Sequence, residues 1–377
     1  VLLLGRALQG FSAACIMPAS LALLKAGWEG AGRQRAVSMW SIGTWGGAGL
    51  CSLVGGLMAE NFGWRAIFWT AALVGVAGLL LLRGTPESRA PAREGWRFDL
   101  PGVLAFMVGL LALQVLVIQG ASLGWGSPMA FGLMAAAVAG TVAFVAIERR
   151  SPHAFFDFSL FRNRTYAGAT LSNFLLNGAA GTLVVSLQLV QVGGGMDAQQ
   201  AGMLTLGYAA AIILFIRVGE KLLQRFGPRR PMAWGASITA LGILLLMPTQ
   251  LMLDQYRALA LVGFSLFGLG LAFYATPSTD AALSSLPDAQ GGAGSGIYKM
   301  ASSLGAAFGV AISAAVFTGM SANGDPGWVE ALTTFAGRQD NVALREAAFV
   351  ARAGNLAMVL EAHVAVVATI PAGKRDA

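Results

Sequence analysis

The chain alternates long apolar runs with short polar connections along most of its length. The hydrocarbon core of a bilayer is about 30 Å thick, so a helix needs about 20 apolar residues to cross it. Runs of about this length predict eleven transmembrane spans, at 2–24, 36–58, 66–83, 101–119, 129–147, 166–192, 200–216, 232–250, 258–280, 292–317 and 347–370. None alternates apolar and polar positions as a barrel strand does, so the pattern predicts an all-α integral membrane fold.

Composition indicates that these runs lie in a lipid bilayer. Hydrophobic residues make up 56% of the 377 residues and charged residues only 11%, with a mean hydropathy of +0.66. Soluble domains carry roughly 25% charged residues, so a soluble globule is excluded. The formal net charge is +7, and most of the basic residues lie in the connections between apolar runs, which argues against nucleic-acid binding.

The basic residues of the connections are distributed unevenly between the two sides of the predicted spans. Alternate connections carry eighteen Lys and Arg residues, and the others carry four. The richer set is Lys25, Arg33, Arg35, Arg83, Arg89, Arg93, Arg97, Arg149, Arg150, Arg162, Arg164, Arg217, Lys221, Arg225, Arg229, Arg230, Lys374 and Arg375, and the poorer set is Arg65, Arg257, Arg338 and Arg345. The positive-inside rule therefore predicts a cytoplasmic carboxyl terminus in a bacterial-type inner membrane, with Val1 outside. Because apolar sequence without a Met opens the chain on the outside, we expect an odd number of spans before Val1.

Small residues recur at every fourth position in the second span. They are Gly43, Gly47, Cys51 and Gly55, with Gly56 beside the last. This stripe predicts a close contact with a neighbouring helix, since packing rather than hydrophobic force holds helices together in lipid. It resembles the antiporter motif of the major facilitator superfamily, with Cys51-Ser52 in place of the motif's Gly-Pro pair. An ordinary small-residue helix contact is the alternative interpretation.

Further segments resemble motifs of the same superfamily and follow one another in the same order. They are Arg6-Ala7-Leu8-Gln9-Gly10, Gly63-Trp64-Arg65-Ala66-Ile67-Phe68, Pro86-Glu87-Ser88-Arg89 and Ser159-Leu160-Phe161-Arg162-Asn163-Arg164. Residues 224–230 resemble the superfamily's gating loop, but Gln224 stands where that loop has an aspartate. The chain as a whole resembles the fourteen-helix drug:proton antiporter branch, of the quaternary-ammonium-efflux type. The resemblance implies three further spans before Val1, one of them with an acidic residue.

The resemblance also implies an architecture and an activity. It implies two helical bundles, the first continuing over 1–83 and the second over 166–370, with two linking helices within 101–147. Such proteins export lipophilic, often cationic compounds in exchange for protons by alternating access. Export of a metabolite or fatty acid is one alternative, and a truncated, non-transporting membrane protein is another. The oligomeric state is left open.

Enzyme chemistry and cofactors are not indicated. His153 and His363 have no cysteine or carboxylate at metal-ligand spacing, and no phosphate-binding glycine loop follows a strand. With no nucleotide site, we expect a proton gradient to supply the energy, without a cofactor or metal.

Arg6 lies inside the first apolar run, where a charge costs about 2.5–3.5 kcal/mol at the bilayer centre. The 19 residues from Arg6 to Lys25 span about 28 Å of helix, which would let the side chain snorkel to the outer surface. The resemblance implies instead that Arg6 faces the central cavity and takes part in proton coupling. Both interpretations stay open at this point.

Asp280 and Lys299 lie toward the cytoplasmic ends of two consecutive spans. One hypothesis is that they form an ion pair that latches the inner gate. The alternative is that each side chain reaches the membrane surface independently.

Polar residues follow one face of the span 166–192, which the resemblance places as the first helix of the second bundle. Asn173, Asn177 and Gln188 are separated by four and eleven residues, both close to whole helical turns. They are candidates for lining a substrate cavity, or they form hydrogen bonds between helices. Phe267 and Tyr274 are candidates for aromatic faces against a lipophilic cation, with simple packing as the alternative.

Overall fold

The computed structural model describes residues 2–85, 99–151, 156–251, 253–287, 290–323 and 341–373. Within these residues all regular secondary structure is helical, as expected. The α-helices are α1 (Leu2–Gly27), α2 (Gly30–Ser41), α3 (Gly47–Phe62), α4 (Trp64–Leu81), α5 (Leu100–Leu123), α6 (Pro128–Arg150), α7 (Arg164–Gly178), α8 (Gly181–Gln188), α9 (Ala198–Leu204), α10 (Leu206–Phe226), α11 (Arg229–Leu246), α12 (Leu253–Ser284), α13 (Gly291–Asn323) and α14 (Val342–Thr369). Shorter turns are π-helical at Ile42–Gly46 and Leu189–Gly193 and 3₁₀-helical at Phe158–Arg162.

Each predicted span falls on helix. Among the described residues, nine helical stretches are both long and apolar enough to cross a bilayer. The other two predicted spans, 36–58 and 232–250, fall on α2–α3 and on α11. Two arginines at the start of α11 lower the hydropathy of the second stretch. The count of eleven spans therefore stays a prediction.

Helices α7, α8 and α10–α14 pack around one continuous apolar core. Glycines bring several of their backbones together, as expected for helices that associate in lipid. A Cβ on Gly242 of α11 would lie 2.7 Å from the carbonyl oxygen of Gly263 on α12. A Cβ on Gly309 of α13 would collide with the backbone of Gly178 at the end of α7. These helices form the second bundle.

The first span of this bundle is broken near its midpoint. Helix α7 ends at Gly178 and α8 begins at Gly181. Two i→i+3 hydrogen bonds join the halves, from Ala180 N to Asn177 O and from Thr182 N to Ala179 O, both 3.0 Å long. Such tighter turns inside a helix often mark hinges.

The preceding helices contact this bundle unequally. Most side chains of α1 and α4 are exposed and apolar, which suits contact with lipid tails. Helix α2, the π turn at 42–46 and α3 pack against α10, and α2 also packs against α12. The linking helices α5 and α6 pack on each other, and α5 packs on α13. The domain boundaries at 1–83, 101–147 and 166–370 stay predictions.

Several sequence predictions fall outside the described residues. They are the motif at 86–89, the basic residues Arg93, Arg97, Arg338, Lys374 and Arg375, and the first residue, Val1.

Candidate functional site

Helices α1–α3 pack against the second bundle, and these are the two parts compared below. At one end of this interface the helices carry basic residues, and we call this the basic end (Lys25, Arg33, Arg229 and Arg230). There the Arg33 Nη2 atom lies 3.4 Å from Asp280 Oδ1, and Gln34 Nε2 donates to Asp280 Oδ2 at 3.3 Å. The side chains of Arg33 and Asp280 are only 17% and 9% exposed. A largely buried ion pair therefore links α2 to α12 across 247 positions of sequence.

Lys25, at the end of α1, provides a second link at the basic end. Its Nζ atom donates to the carbonyl oxygens of Leu286 at 3.2 Å and Pro287 at 3.4 Å, just beyond the end of α12. The negative end of the α12 dipole also lies here and attracts a cation. The ion pair and this lysine together hold the basic end closed.

A buried cation lies deeper between the same parts. The Nζ atom of Lys299, whose residue is 8% exposed, lies 4.8 Å from the ring centroid of Trp40 on α2. Trp40 Nε1 in turn donates to Ser20 Oγ of α1 at 2.9 Å. Lys299 is eight residues into α13 and Trp40 ten residues into α2, or about 12 and 15 Å along the helices. Measured along the helices from this end, both side chains thus lie deeper than the ion pair of Arg33 and Asp280.

This geometry changes the interpretation of Asp280 and Lys299. The sequence hypothesis pairs them with each other, whereas the contacts described for them are to Arg33 and to Trp40. Asp280 lies four residues before the end of α12, about 6 Å from it. The two charges therefore occupy different depths, and each faces α2 rather than the other.

The predicted cavity residues lie mostly inside the second bundle. Asn177 Nδ2 donates to Asn173 Oδ1 at 2.9 Å, and Asn173 Nδ2 donates to the Tyr298 carbonyl at 3.4 Å. The hydroxyl of Tyr274 lies 2.6 Å from Ser172 Oγ. Of these contacts, that of Asn173 joins α7 to α13, whereas that of Asn177 stays within α7. A cavity-lining role for these residues stays a prediction.

Phe267 and Gln188 differ from each other. Phe267 is 1% exposed and its ring centroid lies 6.0 Å from that of Tyr208, so it packs within the bundle rather than lining an open surface. Gln188 is half-buried at the end of α8, and its Oε1 atom has no hydrogen-bond partner among the described residues. Of the five predicted cavity residues, Gln188 has the acceptor best placed to receive a further donor.

Comparison with known proteins gives the family. A profile of the Major Facilitator Superfamily matches residues 1–310. The chain belongs to this superfamily. The quinolone resistance protein NorB of Staphylococcus aureus strain MRSA252 is 44% identical over 339 residues, which are 89% of this chain and 73% of that protein. NorB of strain MW2 is 45% identical over 317 residues, 84% of this chain and 68% of that protein.

Membership of the Major Facilitator Superfamily settles the class of protein. The chain is a multi-pass membrane transporter of small molecules rather than an enzyme. It has the all-α major facilitator fold that the apolar runs and motifs predict. The resemblance to the drug:proton antiporter branch of this superfamily is likewise confirmed.

Arg6 is exposed on α1 of this major facilitator transporter. Its guanidinium carbon lies 5.2 Å from the ring centroid of Phe68 on α4, and Nη1 donates to Gln9 Oε1 at 3.3 Å. The role in proton coupling that the family resemblance implies for Arg6 stays a prediction.

The stripe of Gly43, Gly47, Cys51 and Gly55 does not make the close helix contact that the sequence predicts for it. A Cβ on Gly43, Gly47, Gly55 or Gly56 would meet no described atom within 4 Å, and Cys51 is exposed. The close approach lies instead at Gly46, where a Cβ would lie 3.0 Å from Ile213 Cγ1 of α10. The π turn at 42–46 widens the helix within the predicted stripe. It accommodates α10 on a face that a regular four-residue spacing does not predict.

Sequence reasoning missed the buried carboxylates Asp99, Glu148, Glu220 and Glu346, of which Glu220 lies on the helix that packs against α2. Glu220 is 4% exposed on α10, with Oε2 lying 3.3 Å from Arg217 Nη1 and Oε1 accepting from Gln224 Nε2 at 3.4 Å. Its segment reads as a polar connection because basic residues surround it. The signal was available, because Ile212, Ile216 and Leu223 continue the helical period of apolar residues through it.

Proposed function

We propose that this chain exports small lipophilic drugs, quinolones among them, across a bacterial inner membrane in exchange for protons, with its carboxyl terminus in the cytoplasm. The similarity to NorB supports the substrate class, and the uneven basic connections support the orientation. The observation that carries the proposal is the interface between α1–α3 and the second bundle. Side-chain links close it at the basic end, and it contains a buried cation, Lys299, deeper than these links.

Alternating access follows from this interface. In the orientation proposed, the basic end faces the cytoplasm, so the ion pair between Arg33 and Asp280 is a closed inner gate. Lys25 reinforces the gate through the carbonyls beyond α12. Transport requires the two parts to separate at this end, which breaks these links, and to close again around the deeper site.

Drug accumulation tests this function. In efflux-deficient bacteria that express the protein, we expect a fluorescent quinolone and ethidium each to accumulate several-fold less than in cells without it. A protonophore should abolish the difference. Equal accumulation with and without the protein would exclude drug export, and export that survives the protonophore would exclude proton exchange.

Glu220 is the proposed proton-binding residue of the described second bundle. Its buried carboxylate lies on the helix that packs against α2, so separation of the two parts changes its surroundings. Its own helix also carries Arg217, Lys221 and Arg225. The charged residues on the helices packed against α10 are Arg33, Arg35, Glu60, Arg229, Arg230, Asp254, Arg257 and Asp280.

We expect Glu220→Gln to lower export driven by a pH gradient at least tenfold in proteoliposomes. Substrate exchange without a gradient should stay within twofold of the wild type, because the amide keeps the shape of the side chain but takes up no proton. Glu361→Gln, which alters an exposed carboxylate in α14, serves as the matched control and should change neither rate. Gradient-driven export that persists in Glu220→Gln would exclude Glu220 as the proton site.

A further inference from the structure

Three basic residues lie within the predicted spans rather than in the counted connections. They are Arg6, Lys299 and Arg352. Arg352 is fully buried, and its guanidinium has hydrogen-bond acceptors: Nη1 donates to the Leu246 carbonyl at 2.6 Å, and Nη2 to Ser186 Oγ at 3.0 Å. Lys299 is also buried, at 8% exposed, but its charged group has a different kind of contact. Within the described residues, its ammonium has the ring of Trp40 as its polar contact and no hydrogen-bond acceptor.

An enclosed ammonium without an acceptor is costly in a membrane span. Its three N–H groups lose water and gain only the attraction of an aromatic face. A carboxylate would supply both the opposite charge and strong, charge-assisted hydrogen bonds. The two buried carboxylates nearest along the interface already face arginines, Asp280 facing Arg33 and Glu220 facing Arg217. Neither carboxylate is therefore described as an acceptor for Lys299.

The surroundings of Lys299 indicate which kind of molecule would carry such a carboxylate. Trp40 directs a flat aromatic face at the ammonium, and its indole is held by the hydrogen bond to Ser20. Aromatic rings stack favourably on such a face. The pair lies farther from the basic end than the ion pair of Arg33 and Asp280, on the side of the gate where a transported molecule would be bound.

We propose that Lys299 and Trp40 form a binding site for aromatic carboxylic acids, in which the ammonium of Lys299 pairs with the carboxylate and Trp40 stacks on the ring. In the closed state the ammonium of Lys299 contacts the indole ring of Trp40. When the two parts separate, the carboxylate takes over the contact with Lys299. This inference rests on the proposed function and deepens it by naming one substrate class, the aromatic carboxylic acids, and the residues that bind it.

The test compares three compounds in one export assay. They are a quinolone with a free aromatic carboxylate, its neutral methyl ester, and ethidium as a permanent cation without a carboxylate. We expect Lys299→Gln to lower export of the acid at least tenfold and to leave the ester and ethidium within twofold. Lys299→Arg should keep at least a third of the acid export because it retains the charge. Lys221→Gln removes an exposed lysine from α10 and serves as the control for loss of one charge.

Other outcomes overturn the inference. Equal loss of all three compounds in Lys299→Gln would make Lys299 a general part of the transport machinery. Unchanged export of the acid, or a wild type that exports ethidium but not the acid, would exclude the site directly.

Binding separates this inference from the proposed function. The radiolabelled acid should bind the purified wild type at least tenfold more tightly than Lys299→Gln. If the wild type exports none of the compounds, the proposed function fails, and this binding comparison alone decides the inference. Equal binding would overturn it.

Discussion

Asp280→Arg should reduce drug export at least tenfold, and Arg33→Asp combined with it should restore most of that loss. Removing one partner of a buried ion pair costs about 3–5 kcal/mol, and here two cations would also repel each other. A cost of this size, borne only by the closed state, shifts the balance between open and closed states more than a hundredfold, since about 1.4 kcal/mol is a factor of ten. The double variant rebuilds the pair in the opposite direction between α2 and α12.

The measurement is export of a quinolone by cells with matched membrane levels of each variant. Asp254→Arg is the control on the same helix, because the Asp254 side chain is 93% exposed. Arg35→Asp is the control on α2, because Arg35 is exposed two residues from Arg33. If the double variant is no better than Asp280→Arg alone, the two residues do not act as a pair, and the inner gate is held elsewhere.

Gly309→Ala should leave little folded protein, whereas Gly296→Ala on the same helix should not. A Cβ on Gly309 would collide with the carbonyl group and Cα atom of Gly178, and backbone on both sides cannot turn away as a side chain can. Overpacking of this kind costs about 1–3 kcal/mol and sometimes more, and we expect the upper end here. At Gly296 a Cβ would meet no described atom within 4 Å. There alanine should gain about 0.5–1 kcal/mol through its better helix propensity.

Thermal unfolding in detergent, followed by the fraction of monodisperse protein after heating, distinguishes the two glycine variants. The midpoint for Gly309→Ala should fall well below that of the wild type, and the midpoint for Gly296→Ala should equal or exceed it. Similar midpoints for both variants would mean that α7 and α13 separate easily, contrary to the packing of the second bundle.

The helices were predictable because lipid imposes a length and an apolar composition on each span, and both are local properties of sequence. The inner gate was not. Consecutive helices suggested a pair between Asp280 and Lys299, but the partner of Asp280 lies 247 positions away on α2. Spacing along one helix gives the depth of a charge without its direction. Depth alone cannot distinguish two neighbours on different helices.

The residues of the candidate site also show that spacing along one helix does not give the direction in which a residue faces. Asn173 and Asn177 share a helical face, as their spacing indicates, yet that face is turned into the bundle. The glycine stripe missed the contact at Gly46 because a π turn adds a residue that no regular period contains. Glu220 was passed over because basic neighbours resemble a connection, although the apolar period continues through it.

The interruption between α7 and α8 affects how movement can spread through a transporter that is closed at its basic end. Because short turns rather than a continuous helical ladder join the two halves, the angle between them can change, although both halves pack against α13. A movement of α8 therefore does not have to break the ion pair between Arg33 and Asp280. We then expect an occluded state, closed to both sides of the membrane, between release of the substrate outside and binding of the next substrate from inside.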